Sequence, residues 1–205
     1  TKRFELDKAV EMAVEKFGKI DVVYANAGFG VAGRFSKLVT EDYKRQFDVN
    51  VIGVLDTVYS CLDQVIKNQG QIVLMGSVNS HVSEPKKTPY CMSKFAIKAL
   101  ADGLFWEMQP LGVAVTLISP GIVESEIRQV DRFGKYDAEA KDPAPKNLLL
   151  DTVSAANQII EAIYKRKKEQ IVTLHGKMAV YANRYMPFLL NPLLKQNKSV
   201  SRPHE

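Results

Sequence analysis

Tyr90 and Lys94 stand four residues apart in TPYCMSKFAIKAL, residues 88–100. That separation puts both side chains on one face of a helix, where an ammonium can stabilise a neighbouring phenolate by charge. An unperturbed tyrosine ionises near pH 10, and bringing it to about 7 costs roughly 4 kcal/mol at 1.36 kcal/mol per unit. With Thr88 as the helix cap and Pro89 as the first helical residue, Tyr90 falls in the first turn, where the positive helix end also favours an anion. A tyrosine in that setting can trade a proton near neutrality.

The elements around this pair alternate. Leu6, Val10, Ala13, Val14 and Phe17 recur at helical spacing and stop at Gly18. Residues 20–25, IDVVYA, form a short β-branched run that ends at NAG, which predicts a buried strand. Thr40 followed by Glu41 and Asp42 predicts a helix start, and the helix is expected to reach about Asn68. A strand over 71–76, a helix from about Pro89 to Leu111, a strand over 113–119, a helix from about Val153 to Lys168 and a strand over 170–174 complete the order. Unbroken apolar strands separated by helices imply a parallel sheet covered on both faces, the three-layer, doubly wound α/β architecture of Rossmann type. Residues 1–205 read as one domain, with an irregular stretch over 124–150 expected to form a lid.

In such sheets ligands bind beyond the carboxyl ends of the strands. Asn26-Ala27-Gly28, Ser77 and Pro120-Gly121 occupy those places, and the helix of Tyr90 begins after the second of them. Ser77 lies thirteen residues before Tyr90, and Asn50 lies twenty-seven before Ser77 in DVNVIG. These residues, the NAG turn and PGIVES at 120–125 together resemble the short-chain dehydrogenase/reductase family over roughly residues 1–175. The resemblance implies an NAD- or NADP-dependent oxidoreductase that interconverts a carbonyl and a secondary alcohol. It also implies a preceding strand, a glycine-rich TGxxxGxG turn and a second strand and helix that choose between the two coenzymes; the residues before Thr1 are expected to supply them.

Within that resemblance Tyr90 is the acid/base, Lys94 its activator, Ser77 the group that orients the substrate oxygen and Asn50 the holder of a relay water. Lys94 and Tyr90 would also meet the nicotinamide ribose. Asn26, Ala27 and Gly28 would border the adenosine side, and Pro120, Gly121, Val123 and Ser125 would line the nicotinamide, although the family more often has threonine where Ser125 stands. An asparagine in mid-helix is a poor helix former, so a kink is expected at Asn50. An epimerase or dehydratase using the same pair, and a non-catalytic scaffold, are the rival readings.

Composition sets the remaining bounds. Hydrophobic residues at 46% and charged residues at 25% exclude a disordered chain and suit a globular one. The apolar runs are too short or too interrupted for a membrane span of about 20 residues to be expected, and the charged, amphipathic residues 1–18 are not expected to act as a secretory signal. Two cysteines support no disulfide framework, His81, His175 and His204 read as surface histidines with no metal cluster, and a cytoplasmic home follows. The net charge of +5 is concentrated in residues 165–205, nine Lys or Arg against two Glu, and reads as a solvated face with no nucleic-acid partner. An apolar extension over 176–196 must cover something: a pocket wall for a lipophilic small-molecule substrate, a subunit contact or, less favoured, a peripheral membrane surface. The resemblance implies a homodimer or homotetramer.

Overall fold

The computed structural model describes residues 2–140 and 144–188. Helix α1 (Arg3–Phe17) leads into β1 (Val22–Ala25), followed by α2 (Thr40–Phe47), a π-turn at Asp48–Ile52 and α3 (Gly53–Lys67). Then come β2 (Gln71–Met75), α4 (Thr88–Met108), β3 (Ala114–Ser119), α5 (Thr152–Tyr164), β4 (Glu169–Ile171) and α6 (Leu174–Tyr185). The four strands pair in parallel in chain order, with Val23 opposite Ile72, Ile72 opposite Val115 and Ile118 opposite Gln170.

Because strand side chains alternate, one sheet serves two cores. Ile72, Leu74, Val115 and Leu117 pack with Val54 and Val58 of α3 and Ile97 and Ala101 of α4. Val73 and Ile118 face the other way and meet Ala155 and Ala162 of α5. The strands read as continuous apolar runs for this reason, and the expected three-layer α/β fold is what the structure shows. By length and hydropathy alone, Thr40–Lys67 could cross a bilayer, yet Val54, Val58, Cys61 and Val65 of this stretch are buried in the first core.

The strands succeed one another in one direction across the sheet, but α5 lies on the face opposite α3 and α4. The third connection therefore has the opposite hand to the first two, an uncommon arrangement for parallel strands. To change faces the chain must pass over the carboxyl ends of the strands, and the segment after β3 makes that passage.

Local departures from the expected boundaries have chemical reasons. Val39, not Thr40, occupies the cap of α2, and the Asp42 carboxylate does the capping by accepting the Val39 amide at 3.1 Å. Lys87, not Thr88, caps α4: its carbonyl accepts the Cys91 amide at 2.8 Å, while the Thr88 hydroxyl is engaged by Tyr43 Oη at 2.7 Å. Pro89 thus becomes the second helical residue. Strand β4 ends at Ile171 because Thr173 turns its hydroxyl to the Gly176 amide, at 3.1 Å, and caps α6.

Candidate active site

The carboxyl ends of β1, β2 and β3 open onto a cavity of about 570 Å³. Asn26, Gly28, Ser77, Tyr90, Lys94, Pro120, Gly121, Val123 and Ser125, nine residues singled out from the sequence, line it. Ala27 and Asn50 do not. Ala27 is exposed, and Asn50 is fully buried.

Asn50 acts on the loop after β1. Its Oδ1 accepts the Phe29 amide at 3.1 Å, and its Nδ2 donates to Phe29 O at 3.0 Å and to Ser93 Oγ at 3.2 Å. Gln46, one turn earlier, accepts the Val31 amide at 2.6 Å and donates to Phe29 O at 2.7 Å. Two amide side chains thereby supply the backbone partners that an irregular loop lacks. The loop comes so close that a Cβ on Gly28 would lie 3.1 Å from Asn50 Oδ1. The helix widens at this point: Gly53 N donates to Asp48 O, an i to i+5 bond of the π-turn, so the expected kink takes the form of a π-bulge. The Asn50 side chain, with both of its polar atoms engaged, braces that loop.

Ser77 follows β2 at the cap of the short turn Val78–Ser80, where its Oγ accepts the Asn79 amide at 3.1 Å. Its hydroxyl also donates to Pro120 O at 3.5 Å, and it lines the cavity together with the Tyr90 phenol. Tyr90 occupies the first turn of α4. Burial pushes its phenol above the usual range, while the nearby Ser77 hydroxyl and the Arg128 charge pull it down less strongly. Lys94 lies one turn on, 4% exposed, with Nζ 5.8 Å from the centre of the Tyr90 ring and hydrogen-bonded to Met75 O at 2.8 Å. Burial lowers its pKa to about 8. Among the chain's own groups, desolvation of the phenol outweighs the charges that favour its ionised form.

Several lining residues were not legible in the sequence. Tyr24 and Met75 come from β1 and β2, Arg128 and Tyr136 from the crossing segment, and Ala156 and Ile159 from α5. Alternation along β1 could have found Tyr24, which sits one pleat from the buried Val23 and Ala25. Nothing local marks Arg128, whose guanidinium reaches Val123 O at 2.9 Å. The described part of the 124–150 segment supplies one wall of the cavity through Ser125, Glu126, Ile127, Arg128, Val130 and Tyr136. Helix α6 supplies none of it, and Met178 and Tyr181 face outward. Residues 189–196 of the apolar extension lie outside the described residues.

The comparisons with known proteins agree with this geometry. The family model for short chain dehydrogenase matches residues 1–134. The chain belongs to the short-chain dehydrogenase family. It is 30% identical over 188 residues to an uncharacterized oxidoreductase of Schizosaccharomyces pombe, covering 88% of this chain and 79% of that one. Among solved structures it resembles an alcohol dehydrogenase of Thermococcus sibiricus complexed with 5-hydroxy-NADP, at TM-score 0.69 and 25% identity over 84% of this chain and 70% of that one. A short-chain dehydrogenase/reductase of Burkholderia phymatum in complex with NAD shares the fold at TM-score 0.79 and 22% identity, over 92% of this chain and 73% of that one. As a short-chain dehydrogenase the chain is an NAD(P)-dependent oxidoreductase acting on CH–OH groups.

The residues present suit the nicotinamide end of such a coenzyme. Among the described residues the Lys94 ammonium makes one hydrogen bond although it has three N–H groups, so a buried cation with donors to spare faces the cavity. That donor set matches a pair of ribose hydroxyls. The glycine at 121 and the proline at 120 bring main chain, rather than bulky side chains, to the cavity wall.

Proposed function

We propose that this short-chain dehydrogenase interconverts a ketone and a secondary alcohol with Tyr90 as its proton donor and acceptor. The observation that carries this reading is that Ser77 and Tyr90 line the same cavity as the buried Lys94, whose ammonium lies 5.8 Å from the centre of the Tyr90 ring. The coenzyme supplies a hydride to the carbonyl carbon or takes one from the alcohol carbon.

The chain's own residues do the rest. Ser77 binds the substrate oxygen and holds it beside the phenol of Tyr90. The phenol, neutral because burial raises it, hands its proton to that oxygen as charge develops there. Lys94, protonated at neutral pH, lies behind the ring and offers its remaining N–H groups to the ribose. For the alcohol, the same phenol must first be a phenolate, so oxidation favours the alkaline side and reduction the neutral side.

Met75, Val123, Ile127, Val130 and Ile159 give the cavity a largely apolar wall. This supports a substrate whose carbonyl is carried on a lipophilic group, with the wall formed by the crossing segment and α5 rather than by α6. Consumption of NADH and NADPH with a series of ketones tests the reading. Medium-chain or cyclic lipophilic ketones should be turned over faster than small polar ones. Turnover confined to small polar ketones would remove the lipophilic assignment, and no turnover of any ketone with either coenzyme would remove the reaction.

A further inference from the structure

We infer that His175 is a positioning residue for the loop that follows β3, and that it works only as a neutral imidazole carrying its proton on Nδ1. The Ile122 amide donates to His175 Nε2 at 3.1 Å. A main-chain N–H can only donate, so Nε2 must present a lone pair, and that requirement fixes both charge state and tautomer. Ile122 sits between Gly121 and Val123, two residues of the cavity wall. Its carbonyl is taken by the Leu150 amide at 3.0 Å. The loop is therefore tied on one side to the end of the crossing segment and on the other to the start of α6. The fit is close: a Cβ on Gly121 would lie 2.2 Å from Thr173 Oγ1 and 2.8 Å from His175 Nε2.

The surroundings all disfavour an imidazolium. His175 is the second residue of α6, where free amides make the helix end positive. Thr173 Oγ1, 3.2 Å from Nε2, is the cap of that helix. The recess beside the ring is lined by Asn147 and Gln158 and by one charged group, the cation of Lys177. Glu169, the carboxylate on β4, is engaged by His81 at 2.7 Å. Burial moves the imidazole's pKa below its ordinary value. A protonated ring would set Nε2–H against the Ile122 N–H, and ring or loop would have to withdraw.

The functional part of this inference rests on the reading that the cavity takes the nicotinamide end of the coenzyme, whose wall the loop forms. Two measurements on the full chain keep the two apart. In histidine-labelled protein without coenzyme, nitrogen NMR should show His175 neutral at pH 7 with Nε2 unprotonated and Nδ1 protonated. An Nε2–H tautomer overturns the inference whatever the enzyme does. In fluorescence titrations with NADH and NADPH, wild-type affinity should fall about three- to tenfold as pH drops from about 7.5 to below the ordinary histidine value of about 6.5, the effect expected for one broken hydrogen bond. His175→Gln keeps an acceptor near the Nε2 position that cannot take a proton, and should bind as the wild type does near pH 7.5 without that pH dependence. His175→Leu should bind weakly at both ends of the range. If the Gln variant retains the wild-type pH dependence, His175 does not govern the loop. If the wild type binds neither coenzyme, the coenzyme reading fails and the tautomer still decides whether His175 holds the loop.

Discussion

Lys94 keeps a charge in a place that resists one. Burial lowers its pKa to about 8, and the hydrogen bond to Met75 O does not offset that. A free lysine holds its proton to about 10.4, so between about 8 and 10.4 the unfolded chain binds a proton that the folded chain releases. Stability should therefore decline as pH falls from about 10.4 to about 8 and stay level below, where the fold keeps an ammonium it has partly desolvated. Lys94→Met removes the charge at similar volume. It should raise stability to urea at neutral pH by about 1–3 kcal/mol while abolishing turnover. A destabilised variant would show that the ammonium is held by more than its carbonyl partner. The same value bears on rate: ketone reduction should be level near neutrality and fall as pH rises through about 8, read in a steady-state pH profile.

At the scale of elements, the loop after β1 owes its shape to side chains rather than to any ladder. Asn50→Ala leaves the buried Phe29 amide without an acceptor, whereas Gln46 still serves the Phe29 carbonyl. Stability should drop by about 2 kcal/mol in denaturant unfolding; an unchanged midpoint would mean that the loop finds another partner. The positions of β1, β2 and β3 were legible in the sequence because strands buried on both faces must be apolar throughout, and VAVTLIS can hardly be anything else. The π-turn was not, since DVNVIG keeps helical spacing on either side and the extra residue appears only when Asn50 is aimed at Phe29. Helix boundaries slipped for the same kind of reason. Thr40, Thr88 and Thr173 are all capping types, but only Thr173 caps, because α2 starts one residue earlier with the Val39 amide held by Asp42, and Tyr43 engages the Thr88 hydroxyl. Ser77, Tyr90 and Lys94 could be found because their separation along the chain is short; Arg128 reaches the site, and His175 the loop that walls it, from distant segments, and no local pattern carries that information.

Across the whole molecule, one topological fact shapes the site. The connection from β3 to β4 changes faces, so its chain crosses the strand ends and becomes a wall of the cavity instead of a surface loop. Helix α6 stays outside that wall, with Met178 and Tyr181 more than half exposed at 65% and 60%. Tyr181→Ser should accordingly leave kcat/KM for ketone reduction unchanged; a raised KM would place α6 within reach of the substrate. The account as a whole stands on the phenol of Tyr90 delivering the proton in the cavity it shares with Ser77 and Lys94. Single-turnover reduction by Tyr90→Phe, with coenzyme binding measured in parallel, tests it most directly. The rate should fall about 10²–10⁴-fold with coenzyme affinity and unfolding midpoint preserved, and a variant that reduces its ketone at the wild-type rate would contradict the account.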